Sequence, residues 1–192
     1  MSTATIQRGD RVAVFGCGGV GLNTVQGARI AGAETIIAVD TNSAKLESAR
    51  RFGATDLVDA GGVDSVEVLR QMTAGRGVDV AFEVVGREAT VRQALASTRR
   101  AGQTVLVGVP RDDVNLALNV TGFVRSAVEL RACYYGSANV RDEVPRLLAL
   151  WRSGDLLLEE LVSAEIGLDE IEQAFADIDA GTATRSLIRY DR

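Results

Sequence analysis

The run Gly16-Cys-Gly-Gly-Val-Gly21 constrains this 192-residue chain more than any other feature. It comes after a short β-rich apolar run, Arg11-Val-Ala-Val-Phe15, and opens a stretch over 19–31 in which Val20, Val25, Ala28 and Ile30 recur at helical spacing. Gly32 then offers a stop. A strand that turns through glycines straight into a helix is the first half of a βαβ unit, so the rest of the chain should alternate in the same way.

It does. Thr35-Ile-Ile-Ala-Val39 reads as a second buried strand, followed by a helix near 42–52. Asp56-Leu-Val58 is a short third strand, and 64–73 a third helix. Val78-Asp-Val-Ala-Phe82 and Gln103-Thr-Val-Leu-Val107 flank a helix at 87–98. A short helical connection near 119–126 leads into Val128-Glu-Leu-Arg-Ala-Cys133. Parallel neighbours need crossovers of this length, so the pattern predicts an α/β fold, a doubly wound parallel six-stranded Rossmann sheet. Past residue 136 the rhythm changes: a helix near 139–152 ending at Ser153-Gly154, an apolar segment 161–166, a helix 168–180 and a strand 186–190. This C-terminal helix/strand appendage is not needed to complete the sheet, which divides the chain into 1–136 and 137–192.

Composition removes several functions. The net charge of −5 argues against a nucleic-acid partner, because phosphate backbones demand a basic field. Met1 to Asp10 lacks the apolar core of a signal peptide, and no apolar run approaches the roughly 18 residues of a membrane span. The expectation is a soluble, cytoplasmic chain with no membrane partner. Histidine is absent and the cysteines are only Cys17 and Cys133. A zinc site of the usual nitrogen and sulfur type, a Ser-His-Asp triad and a Cys-His pair therefore have no residues to be built from. No catalytic and no metal-ligating residue is assigned. Reduced cysteines are the simpler expectation, with one bridge between them left open.

The chemistry lies in the glycine run and in the strand and helix beyond it. In Gly16-x-Gly18-x-x-Gly21, Gly16 would make the tight turn, Gly18 would let a pyrophosphate approach, and Gly21 would let helix and strand pack closely. The helix N-terminus would meet the phosphates with free N–H groups and a positive dipole end. A plain strand-to-helix turn is the other reading. Asp40 ends the second strand, where a carboxylate can accept from ribose hydroxyls and would repel a 2′-phosphate. No arginine sits beside it, so NAD is favoured over NADP. The bland alternative, Asp40 as an N-cap for the next helix, is chemically compatible but leaves the rest of the constellation unexplained. Lys45, the single lysine, lies one turn into that helix and can reach the same ribose; it is otherwise an ordinary solvated helix charge. Tyr134 and Tyr135 are followed four places on by Ala138 and Asn139, so the Tyr-x-x-x-Lys pair of short-chain dehydrogenases is missing.

With Val39-Asp40 and Lys45, the glycine run is joined in order by Phe82-Glu-Val-Val-Gly-Arg87, Val107-Gly-Val-Pro110, Tyr135-Gly136 and Thr184-Arg-Ser186. Together these make the chain resemble the medium-chain, zinc-containing alcohol dehydrogenases over almost its whole length, and within them the branch that includes thiol-dependent formaldehyde dehydrogenases. The resemblance implies a cofactor site running through Gly16, Gly18, Gly19, Val20 and Gly21. Asp40 and Lys45 would hold the adenosine ribose, with Arg87 by the adenine and Val85 beside its pocket. Val107, Gly108 and Val109, with the backbone near Cys133 and Tyr135, would contact the nicotinamide carboxamide. Arg185 would pair with the pyrophosphate; the bland reading is an exposed strand-end charge. Asn115-Leu-Ala-Leu-Asn119 resembles the edge strand through which the family's subunits form a homodimer.

The zinc ligands and histidine relay of the family's catalytic domain are not in this sequence. The resemblance thus implies the NAD(H)-binding part of an oxidoreductase acting on a small alcohol or aldehyde, inactive on its own. On that view 137–192 is the return to the catalytic domain, and the strands at 161–166 and 186–190 have lost their partners. They would dock on the Rossmann core, pair between chains, or fray. A stand-alone NAD(H)-sensing module is the competing reading, which the dehydrogenase-like tail disfavours. A methyltransferase, a third possibility, is disfavoured by Lys45, Arg185 and Val107-Gly-Val-Pro110.

Overall fold

Strand β1 (Arg11–Phe15) leaves no face to water: Val12, Ala13, Val14 and Phe15 are each at most 1% exposed. A strand buried on both faces belongs at the centre of a parallel sheet covered by helices. The computed structural model, which describes residues 3–190, places it there. The other strands of the sheet are β2 (Thr35–Asp40), β3 (Asp56–Asp59), β4 (Val78–Glu83), β5 (Thr98–Leu106) and β6 (Glu129–Ala132). Their order is β3-β2-β1-β4-β5-β6, every neighbour parallel, which is the doubly wound Rossmann arrangement.

Five helices connect the strands: α1 (Gly19–Ala31), α2 (Ser43–Phe52), α3 (Ser65–Met72), α4 (Glu88–Ser97) and α5 (Val120–Ser126). Helices α1 and α2 pack together over β1, β2 and β3, while α4 packs on β1, β4 and β5 beside α3. The core gathers Ala13, Phe15, Ile37, Val39, Val58, Leu69, Val78, Ala81 and Ala94. Local chemistry explains the start of α2. Asn42 caps it, its side chain accepting from the N–H groups of Ala44 and Lys45. The reading of Asp40 as that cap is therefore corrected: Asn42 stands in the residue position from which a short side chain can reach them.

Two further expectations change within this unit. Strand β5 begins at Thr98 rather than Gln103, because Thr98 pairs with Val78 and Gln103 with Val80, so residues 99–102 bulge out of register. Ala101 (φ 53°) takes the left-handed conformation that lets the chain leave and rejoin the ladder. Residues 115–119, read as an edge strand, form no strand. Within one chain they lack a pairing partner, and Asn119 instead caps α5 by accepting from the Gly122 N–H at 2.8 Å.

The first unit ends at Asn139 and a second begins at Val140. The second contains α6 (Val140–Arg152), β7 (Ala164–Ile166), α7 (Ile171–Asp179) and β8 (Ser186–Ile188). Here the expected fate of the two strands is corrected. They pair with each other in parallel, Ala164 with Ser186 through Ile166 with Ile188. The intervening chain, with α7, is a crossover long enough for parallel pairing. The ladder is extended by the Ser163 N–H on the Arg185 carbonyl (2.8 Å) and the Arg189 N–H on the Ile166 carbonyl (2.9 Å), and the side chains of Glu165 and Arg189 form an ion pair.

Candidate functional site

The chain reverses direction across the sheet at β1, whose neighbours β2 and β4 are reached by opposite windings. Such a switch point opens a crevice at the carboxyl ends of the strands. A cleft of about 450 Å³ lies there, lined by Gly16 and Gly18 after β1, Asp40 at the end of β2 and Thr41 beyond it, Lys45 on α2, and Val85 and Arg87 after β4. Thr90 and Gln93 of α4 and Ala60 complete it.

Two of the three glycines of the turn are required by the fold, and the third is not. Gly16 has φ +102°, and a Cβ there would sit 2.7 Å from Val85 Cγ2. At Gly21 a Cβ would lie 1.9 Å from the Gly16 carbonyl oxygen, so the first turn of α1 and the end of β1 touch backbone to backbone. Gly18 is unlike both. Its φ of −74° suits any residue, and a Cβ would meet no heavy atom within 4 Å. Nothing in the protein calls for glycine there; its missing side chain leaves open space at the start of α1. Gly18 caps that helix with no side-chain hydrogen bond, so the N–H groups of Gly19, Val20 and Gly21 at the positive end of α1 gain no acceptor from their cap residue's side chain. That arrangement suits an anion.

Asp40 locks the turn to the second strand. Its Oδ2 accepts from the Cys17 N–H at 2.7 Å and its Oδ1 from the Asn42 N–H at 2.9 Å. Carboxylate oxygens can each accept more than one hydrogen bond, so Asp40 keeps capacity for hydroxyl groups in the cleft. The Cys17 thiol behind it is pushed up to about 12 by burial, then by the Asp40 charge, with Lys45 and a bond to the Val39 carbonyl pulling weakly the other way. It stays protonated at neutral pH and is no nucleophile. Both cysteines are free.

A residue that the sequence does not single out holds the far wall. Glu83 closes β4 and is fully buried. Its Oε1 accepts from the Val85 N–H (2.9 Å), the Gly86 N–H (2.9 Å) and the Thr90 hydroxyl (2.7 Å). Its main-chain carbonyl accepts from the N–H groups of Val107 (2.8 Å) and Gly108 (3.0 Å). One residue thus fixes both the loop carrying Val85 and Arg87 and the loop carrying Val107, Gly108 and Val109. The loops meet at glycines: a Cβ on Gly108 would lie 2.3 Å from the Gly86 nitrogen. The signal that could have found it is an acid at the end of a strand whose preceding residues, Val80, Ala81 and Phe82, are apolar.

The remaining assigned residues lie off the cleft lining. Val109 and Val20 are exposed, and Tyr135 is exposed in a left-handed conformation (φ 53°). Cys133 sits just beyond β6, its N–H bonded to the Leu106 carbonyl at 2.8 Å, so its backbone continues the rim beside Val107. Arg185 belongs to the second unit, where it is exposed. Among the described residues, no group of three or more His, Cys, Asp or Glu is placed to hold a metal ion, and no helix is long and apolar enough to cross a membrane.

The family model for zinc-binding dehydrogenases matches residues 19–153, which includes α1, Asp40, Glu83 and both loops of the cleft. The chain belongs to this family. Among its curated relatives, the S-(hydroxymethyl)glutathione dehydrogenase of Haemophilus influenzae is 38% identical over 98% of the chain and 50% of its own length. An alcohol dehydrogenase zinc-binding domain protein from Burkholderia ambifaria superposes with a TM-score of 0.92 at 32% identity, covering 100% of this chain and 51% of that one. A zinc-binding dehydrogenase from Sinorhizobium meliloti 1021 bound to NADP superposes at 0.88 with 27% identity, covering 98% and 54%. The chain therefore spans about half the length of the relatives it matches.

Proposed function

We propose that this chain is the NAD(H)-binding part of a zinc-dependent oxidoreductase, which passes a hydride between NAD and a primary alcohol or a hydroxymethyl-thiol adduct. The observation that carries the reading is Gly18, a glycine the protein itself does not need, facing open space at a helix end with no side-chain cap, beside Asp40. A dinucleotide fits these residues. Its pyrophosphate would lie on Gly18, Gly19, Val20 and Gly21, and its adenosine ribose on Asp40 and Lys45. Arg87 and Val85 would border the adenine. Val107, Gly108 and Val109, with the backbone of Cys133 and Tyr135, would hold the carboxamide.

The bound cofactor supplies the hydride-accepting ring; the chain's part is to bind and orient it. Zinc does not fit here, since the chain has no histidine and no ligand cluster among its described residues, and no step is assigned to it. Residues 137–192 would then be the return toward a catalytic domain, and the similarity of relatives through this stretch argues against a free-standing sensor. Two free cysteines suit a reducing cytoplasm. The strandless segment 115–119 would gain its ladder from a second copy, forming a homodimer; sedimentation as a single 20.3 kDa chain at tens of micromolar would refute that pairing.

Calorimetric titration tests the cofactor reading. NAD should bind once per chain and turn over no alcohol. Absence of binding by both NAD and NADP at millimolar concentration would count against it.

A further inference from the structure

Where β4 and β5 begin, at the amino ends of the strands, lies a larger cleft of about 740 Å³. The length of β4, at about 3.3 Å per residue, separates this end of the sheet from the cofactor cleft. Arg70, Arg76, Arg99 and Arg100 line it, and no acidic residue does. In a chain of net charge −5, such a gathering of guanidinium groups runs against the overall composition.

The arginines are held in place by the fold. Asp79, buried at 4% exposure behind the cleft, accepts from Arg76 Nη2 at 2.7 Å and from Arg99 Nε at 2.6 Å through the same oxygen, and its other oxygen takes the Arg11 N–H at 2.9 Å. Burial pushes this carboxyl up. The Arg11 N–H, the Arg99 guanidinium and the charge of Arg76 outweigh it and hold the group below its usual value, so Asp79 is ionised at neutral pH. Arg99 Nη1 is tied to the carbonyls of Arg100 (2.8 Å) and Ala101 (2.9 Å), and Arg70 Nη2 to that of Ala96 (3.3 Å).

The bulge in β5 is what brings Arg99 and Arg100 to this place, as bulges commonly re-aim side chains. It is tightly built: a Cβ on Gly102 would lie 2.7 Å from Thr98 Cγ2 and 2.8 Å from the Asp79 carbonyl oxygen. One buried carboxylate thus pairs with two of the four guanidiniums and leaves the cleft with an excess of positive charge. Holding like charges together costs Coulomb energy that an anion in the cleft would relieve.

We propose that this cleft is a second ligand site, specific for a small molecule carrying two or more phosphate groups. Guanidinium forks match phosphate oxygens. A single phosphate carries about −2 at most, which falls short of four guanidiniums set against one carboxylate. The volume lies within the range of about 300–1,000 Å³ usual for small-molecule sites. The inference is independent of the cofactor reading.

The test uses inorganic pyrophosphate as probe, followed by amide NMR shifts of the ¹⁵N-labelled chain, in wild type and in the Arg70→Ser/Arg100→Ser double variant. These two arginines are exposed and do not touch Asp79, so the variant should keep its fold. Saturable shifts are expected at Gly75, Gly77, Ala96 and Ala101, with affinity at least tenfold weaker in the variant. Any shifts at Gly18 to Gly21, which report the α1 terminus, should be the same in both proteins. Shifts confined to Gly16–Gly21, or equal affinity of the two proteins at Gly75 and Gly77, would overturn the proposal.

Discussion

Asp40→Ala should bind NAD and NADP with nearly equal affinity, whereas the wild-type chain should prefer NAD at least tenfold, about 1.4 kcal/mol. The carboxylate ends β2 inside the cleft, where a ribose would lie, and no arginine neighbours it in the sequence. A 2′-phosphate there would face a like charge. Removing Asp40 also strips acceptors from the N–H groups of Cys17 and Asn42, each loss being worth about 1–3 kcal/mol if the donor stays dry. Asp40→Asn is the better-behaved companion, because it removes the charge and keeps one acceptor. Calorimetry with both nucleotides on all three proteins decides the matter. If NADP is still rejected tenfold by both variants, the discrimination resides elsewhere in the cleft.

The glycines offer a second, sharper contrast. Gly21→Ala drives a methyl group to 1.9 Å from a backbone oxygen that cannot swing aside, so the join between β1 and α1 must open. A loss of about 3 kcal/mol is expected, at the upper end for overpacking, with thermal unfolding as the readout. Gly18→Ala meets nothing within 4 Å and should melt with the wild type. Its methyl group would instead occupy the space assigned to the pyrophosphate, and NAD affinity should fall at least tenfold. The reading fails if Gly18→Ala binds NAD as well as the wild type does, since the open space would then serve no ligand.

Much of the first unit is legible in the sequence because its signals are local. A four-residue apolar run after Arg11, a glycine turn and a helix stopped by Gly32 are each specified within a few positions. The elements that the sequence disguises depend on partners distant along the chain. The segment Thr98 to Gly102 looks like a turn, with paired arginines before Ala-Gly, and counts as strand only because Thr98 meets Val78. Strands β7 and β8 read as needing an outside partner, yet each is the other's, which no apolar pattern of three residues can announce. Asp40 reads as a cap only while the start of α2 is uncertain by two residues; with the helix beginning at Ser43, Asn42 holds that place and Asp40 turns to the Cys17 and Asn42 N–H groups. Glu83 stands in plain view within the run Phe82 to Arg87, but an acid ending a strand does not declare which loops it will bind.

The double attachment at Glu83 has a consequence for how this chain can diverge. Its side chain and its main-chain carbonyl serve two loops that are also in backbone contact through Gly86 and Gly108. Drift in one loop is therefore felt by the other, and substitutions in the pair should combine non-additively. A lineage that reshapes the loop of Val85 and Arg87 carries the loop of Val107 to Val109 along with it. The two ends of a bound dinucleotide would then be inherited as one character.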